Sequence, residues 1–314
     1  MASESQSKKH AMNNRNPLFV YVPVLLATIC WSFSFIWYKQ VFVDFQPMTV
    51  IVLRLVIAVP LLFLLSVIAG KLERIKHGHL KWFLLLGFFE PFVYFLGECY
   101  GMQLISPTLG SIIISLIPLL VPIPARYLFR ERFTFTNYIG LFISIAGVLL
   151  VISGDYGIKQ GTLAGVLLML VAVVAAVFHS VYVRKLSEYY SSFTIVTYQS
   201  TFGFLYFIPV FAFTEFSHFI QQSHSFSSFI PLIKLAVFSS TVAFLFFVYS
   251  IKSIGMARTN VFINLIPVFT AIFSYFILKE SFGLLKIAGI IVVIAGIVFS
   301  QVSQSLRISG FIKS

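Results

Sequence analysis

The sequence predicts an all-α polytopic membrane protein, ten transmembrane helices arranged as two inverted five-helix repeats. Three observations predict it. Of 314 residues, 59% are hydrophobic and 10% charged, whereas soluble domains carry about 25% charged residues. The apolar runs are continuous over about 20 residues, the length that crosses a bilayer as a helix. Backbone groups in lipid must all be paired, so only helices or a closed barrel can span, and barrel strands alternate apolar and polar positions. Third, the stretch Leu109–Val151 occurs twice, recurring 149 positions later as Arg258–Ser300. Without a gap, Leu116-Ile117-Pro118 falls on Leu265-Ile266-Pro267, Glu131 on Glu280, Phe133 on Phe282, Gly140 on Gly289 and Gly147 on Gly296. Each copy is an apolar run with a central proline, a short charged turn, and a second, glycine-bearing apolar run. That is a duplicated membrane hairpin.

Taken in order, Met1–Asn16 is polar and reads as a cytoplasmic tail lacking a core of its own. The first apolar run has no small-residue cleavage site behind it, so it reads as a retained span. Ten spans follow, at about 18–38, 48–69, 80–101, 106–125, 133–152, 161–183, 193–213, 231–251, 258–278 and 283–303. Loops between them are short except Thr214–Phe229, a Ser/His/Phe-rich linker expected along the membrane interface. The organisation is therefore a tail at 1–16, repeats at 17–152 and 153–304, and a tail at 305–314.

The net charge of +12 would point to nucleic acid in a soluble protein. In a membrane protein it reflects cations gathered in cytoplasmic loops, and no nucleic-acid partner is implied. With the N-terminus inside, only Lys39, Lys159, Lys234, Lys279 and Lys286 fall on outer segments and Arg54 within a span; every other lysine and arginine is on an inner segment. This places both termini in the cytoplasm, in a cell (inner) membrane. Five spans per repeat is an odd number, so the halves insert with opposite orientation, the architecture of secondary transporters with sites near the midplane.

Intramembrane charge is the sharpest chemical signal, since each such group costs roughly 2.5–3.5 kcal/mol at a helix centre. Arg54, Glu90 and Glu98 are of this kind. Glu90 and Glu98 share the third span, about 80° apart around a helix, with Tyr94 midway. In low dielectric a carboxylate favours its protonated form, so both are candidates to bind a coupling proton or a cationic substrate group. The bland alternative is a structural pair in which Arg54 neutralises Glu90.

Pro118 and Pro267, mid-span, free a backbone carbonyl and permit a kink. Beside them stand Ser111, Ser115, Asn260 and Asn264, candidate polar contacts to substrate. His179 is alone on an apolar span, where an interhelical hydrogen bond competes with a substrate or proton role. Trp31, Tyr182 and Tyr249 are candidates for an aromatic wall able to hold a ring or cation. The glycines Gly140, Gly147, Gly289 and Gly296, and the run Gly157, Gly161, Gly165, read as helix-packing positions. Glu131 and Glu280 read as caps or salt-bridge partners at the turns.

These residues carry a resemblance. Trp31-Ser32, Leu53-Arg54, Leu116-Ile117-Pro118-Leu119 with Arg130-Glu131, and Leu265-Ile266-Pro267-Val268 with Lys279-Glu280 look like the drug/metabolite transporter (DMT) superfamily, in its ten-span EamA-type branch. The resemblance covers about residues 18–303. It implies alternating access through a central cavity lined by the first, third, fourth, sixth, eighth and ninth spans, with export favoured over import. Members carry amino acids, other metabolites, nucleotide sugars or drugs. Two positions depart from the family pattern: Ser32 stands where glycine is common, and His179 where tryptophan is.

Other function classes find little. No HExxH pair, GxSxG elbow, cysteine–histidine cluster or phosphate-cradling loop appears, so neither an intramembrane enzyme, a cofactor nor a metal is expected. Cys30 and Cys99 both fall within spans and form no framework. A lipid or lipid-linked flippase of the same fold is the alternative transport reading. The expected partners are a small-molecule substrate, membrane lipids and a proton as coupling ion, in a monomer or homodimer.

Overall fold

The computed structural model describes residues 17–121, 123–124, 135–154 and 161–311. Among them the chain is helical, and ten apolar segments can be followed. We number them α1 (Pro17–Val41), α2 (Pro47–Ile68), α3 (His77–Leu104), α4 (Pro107–Leu120), α5 (Phe135–Gly154), α6 (Thr162–Ser187), α7 (Ser192–Thr214), α8 (Phe226–Ile254), α9 (Met256–Ile277) and α10 (Leu284–Phe311). Seven of these segments hold a stretch long and apolar enough to cross a membrane; α4 and the apolar parts of α5 and α10 are shorter. Glu131, Arg130 and Gly157 lie outside the described residues.

Helix starts follow local chemistry. Pro47 and Pro107 occupy first-turn positions, where a missing N–H costs nothing. Ser106 caps α4 by accepting from the Leu109 N–H at 3.3 Å, and Ser191 caps α7 by accepting from the Thr194 N–H at 3.1 Å. Glu215 reaches from the end of α7 to the start of α2, accepting from the Met48 and Thr49 N–H groups at 3.2 and 2.7 Å. The expected linker is in part helical: Phe216–Gln221 forms a short helix, and α8 begins already at Phe226. Asp44 explains the early start, since its carboxylate accepts from the Ser225 N–H at 3.2 Å and from the Ser228 hydroxyl.

The duplication is visible in packing. α3 packs on α6 as α8 packs on α1; α4 on α6 as α9 on α1; and α7 on α3 as α2 on α8. α2 packs on α7 and α5 on α10, each helix on its own counterpart. This is the pattern of a pseudo-twofold axis relating the repeats. Gly147 and Gly289 lie face to face where α5 crosses α10: a Cβ on Gly147 would stand 2.9 Å from the Gly289 carbonyl oxygen, and one on Gly289 2.8 Å from that of Gly147. A Cβ on Gly296 would stand 2.8 Å from the Gly140 carbonyl oxygen. Contacts 140–296 and 147–289 run in opposite directions along the two helices, so α5 and α10 are antiparallel. Small residues let the backbones approach this closely. Glu280 ties the repeats at one end, accepting from Thr108 Oγ1 at 2.8 Å and Lys286 Nζ at 2.7 Å.

Four segments are interrupted. α3 and α8 each contain a π-helical stretch, Phe88–Val93 and Leu235–Ala243, which overlap under the repeat. Such turns often mark functional sites. Within the first, Glu90 has extended backbone (φ −147, ψ 120) before Pro91. α4 breaks after Ile114 and restarts at Ile117, and α9 passes through a 3₁₀ turn, Phe262–Leu265, before restarting at Ile266. Pro118 and Pro267 thus stand at these interruptions, each in the first turn of a restarted helix. Outer faces carry exposed apolar side chains such as Leu64, Val67, Phe142 and Leu163, as expected where lipid is the solvent.

Candidate functional site

The interruptions meet at a central cavity of about 40 Å³. That holds roughly three water molecules. Its lining is organised by the repeat. Phe95 and Phe244 face it, as do Ile114 and Ile263, and Ile117 and Ile266, each pair related by the 149-residue shift. Three further related pairs line it with unlike chemistry: Trp31 and Ser180, Glu90 and Ser239, Glu98 and Phe247. The cavity therefore lies on the pseudo-twofold axis, and both of its carboxylates come from the first repeat.

Glu98 is 5% exposed and held on both oxygens. Tyr38 donates to Oε2 at 2.7 Å and Tyr94 to Oε1 at 3.1 Å. Arg54, 1% exposed, places Nη1 3.9 Å from Glu98 Oε2 and donates to the Tyr38 hydroxyl. It also donates from Nε to Ser240 Oγ at 2.8 Å and from Nη2 to Ser239 Oγ at 3.4 Å. Its guanidinium carbon lies 4.0 Å from the Phe95 ring centroid. The partner of Arg54 is thus Glu98, not Glu90. The physical reason is the π-helical stretch, which resets the phase of α3 between the two carboxylates.

Glu90, 6% exposed, faces His179 instead. His179 Nδ1 lies 2.8 Å from Glu90 Oε2, and Nε2 lies 3.1 Å from Gln199 Oε1. Glu90 comes from the first repeat, His179 and Gln199 from α6 and α7 of the second, so this hydrogen-bonded chain crosses between the halves. Among the described residues, none donates a hydrogen bond to Oε1 of Glu90. It is the uncommitted acceptor of the cavity, with the Ser180 hydroxyl also on the lining.

Other sequence-nominated residues fall elsewhere. Trp31 lines the cavity, edge-on to Phe244 and Phe247 with ring centroids 5.4 and 4.9 Å away. Tyr182 stacks on Phe89 and does not line it, and Tyr249 is 40% exposed. Ser111 and Ser115 donate back to the carbonyls of Thr108 and Ile112. Asn260 donates to the Met256 carbonyl, while its Oδ1 and that of Asn264 are buried without a partner. Asn264 lines a separate apolar groove with Leu265, Val268 and Ile294, on the face of α9 turned away from Ile263 and Ile266. Sequence reasoning missed Tyr38, Gln199, Ser239, Ser240, Phe244 and Phe247. The repeat shift applied to Glu90 and Glu98 would have found Ser239 and Phe247; Tyr38, Gln199, Ser240 and Phe244 carry no such signal. Among the described residues, no cluster of three or more His, Cys, Asp or Glu could hold a metal ion.

Comparison with known proteins agrees with this architecture. The chain is 28% identical over 253 residues to the uncharacterized transporter YetK of Bacillus subtilis, covering 80% of this chain and 76% of that protein. It is 28% identical over 278 residues to an uncharacterized transporter of Archaeoglobus fulgidus, covering 88% and 96%. A solved crystal structure superposes with a TM-score of 0.67 over 91% of this chain and 98% of the other, at 15% identity, a likeness of fold alone. The profile of the EamA-like transporter family matches residues 18–153 and again 163–301. The chain is thus a multi-pass membrane transporter and belongs to the EamA-like transporter family, a family of the DMT superfamily.

Proposed function

We propose that the protein is a secondary transporter that exports a small organic cation, an amine-bearing metabolite or drug, in exchange for protons by alternating access. The observation that carries this reading is the central cavity, where Glu90 and Glu98 face an aromatic wall of Trp31, Phe95, Phe244 and Phe247. Carboxylates supply counter-charge, and aromatic faces attract cations. Organic ligands occupy pockets of roughly 300–1,000 Å³, so a cavity of about 40 Å³ must open to receive one. The cavity is lined by both halves, and a relative movement of the halves supplies that opening. The positive-inside bias of the loops supports cytoplasmic termini, and the short turns support a bacterial-type inner membrane.

Purified protein in liposomes, with a pH gradient imposed, tests the reading. Accumulation of a permanently charged aromatic cation, tetraphenylphosphonium, should follow the gradient and disappear in Glu90→Gln. Equal accumulation by wild type and Glu90→Gln would refute it. The lipid-cargo alternative draws on the apolar groove beside Asn264. Movement of a fluorescent phospholipid across the same liposomes, without cation flux, would favour it.

A further inference from the structure

The two carboxylates of the cavity are not equivalent. Glu98 accepts from a tyrosine hydroxyl on each oxygen and has the Arg54 guanidinium 3.9 Å away. Glu90 has one free oxygen and a single partner, and that partner can titrate.

The hydrogen-bond inventory around His179 limits its protonation. The Gln199 carbonyl can only accept, so Nε2 carries a hydrogen. A neutral ring protonated there would set the Nδ1 lone pair against a carboxylate oxygen at 2.8 Å, which is repulsive. One further proton must lie between Nδ1 and Oε2, giving an imidazolium–carboxylate pair or its neutral tautomer. The alternative arrangement has one proton fewer. There the Gln199 amide turns over, its NH2 donates to Nε2, and Nδ1–H donates to Glu90. Gln199 can therefore satisfy the ring in both states.

We propose, resting on the cation-transport reading above, that the exchanged proton is carried by the Glu90–His179 pair, with Gln199 as its positioning residue and Glu98 as a fixed counter-ion to Arg54. With the proton bound, the pair is neutral. Without it, the pair bears one negative charge, and the free Oε1 faces the cavity. An organic cation entering there displaces one proton: cation plus protonated pair gives cation-bound carboxylate, neutral imidazole and a released proton. For a monovalent cation the exchange is electroneutral.

The groups surrounding His179 fit this assignment. α3 presents Glu90, then Tyr94 and Glu98 farther along the cavity; α2 contributes Arg54, which is committed to Tyr38, Ser239 and Ser240. α4 presents only Ile114 and Ile117, α8 presents Ser239 and the edge of Phe244 with ring centroids 6.2 Å apart, and α7 presents Gln199. Ser180 and Tyr182 are its neighbours on α6. Glu90 is thus the acidic group in direct contact with the ring, and no cation faces it uncompensated among the described residues.

The test measures protons released into weakly buffered detergent solution when tetraphenylphosphonium binds, since this cation carries no proton of its own. Wild type should release about one proton per cation bound. His179→Gln, whose amide still donates to Glu90, should bind the cation with no release and with pH-independent affinity. Release that persists in His179→Gln would overturn the assignment. Binding to wild type without release would overturn it while leaving the cation reading standing; no binding would remove both. Nitrogen-15 spectra of the histidine rings give an answer that needs no ligand. The His179 signal should be a single titration lost in Gln199→Leu or Glu90→Gln; a signal indifferent to both changes would refute the pair as proton carrier.

Discussion

The Arg54–Glu98 pair allows an energetic prediction worked from its geometry. Replacing Arg54 by methionine keeps much of the side-chain length but leaves Glu98 buried with only two tyrosine donors. It also strips Tyr38, Ser239 and Ser240 of a shared partner. Breaking one side of a buried ion pair costs about 3–5 kcal/mol, because the other charge is left uncompensated. At the observed 3.9 Å, and with the effective dielectric constant of about 20 that describes protein interiors, the direct attraction is about 4 kcal/mol. Arg54→Met and Glu98→Gln should each destabilise strongly, while the double variant should fall short of their sum by about that amount. The assay is a double-mutant cycle of reversible unfolding in mixed micelles at neutral pH. A coupling energy near 1 kcal/mol, the scale of an ordinary hydrogen bond, would refute the reasoning. It would mean that Glu98 is uncharged in the cavity and free to carry a proton.

Three further outcomes are expected. Gly147→Ala forces a Cβ against backbone atoms of α10, 2.6 Å from the Val293 nitrogen, and should cost about 1–3 kcal/mol, lowering the melting temperature; Gly78→Ala, with nothing within 4 Å of the new Cβ, should not. Glu215→Ala removes the acceptor shared by Met48, Thr49 and Tyr100 and should cost about 1–2 kcal/mol, read as faster amide exchange in the first turn of α2. Trp31→Ala removes an aromatic face from the cavity and should weaken binding of an aromatic cation by about 1–2 kcal/mol in a filtration assay, with little change for a small aliphatic one.

Much of the architecture was legible because lipid simplifies the problem. Continuous apolar runs mark spans without reference to tertiary context, and the recurrence of Leu-Ile-Pro and of paired glycines announced the duplicated halves. Segment ends were harder: α8 starts five residues before the expected 231 because Asp44, distant in sequence, supplies its terminal acceptors. The site was legible in type and less so in pairing. Helical arithmetic assumes 3.6 residues per turn, and a π-helical stretch containing Glu90 breaks that assumption. Arg54 was therefore matched to the wrong carboxylate. Tyr249 and Tyr182 failed as wall residues because a lone aromatic gives no sign of which face of its helix is turned inward.

The unequal partners across the axis, Glu90 with Ser239 and Glu98 with Phe247, bear on the protein's resting balance. Two identical halves that exchange shapes would make a molecule open to one side indistinguishable in free energy from one open to the other, and each form would fill half the population. Every interaction present in one half without a twin removes that degeneracy, and each 1.4 kcal/mol of difference skews the ratio tenfold. Under the alternating access proposed above, carboxylates carried by one half alone would give the empty protein a preferred side. Installing carboxylates at Ser239 and Phe247 while neutralising Glu90 and Glu98 would turn that preference over.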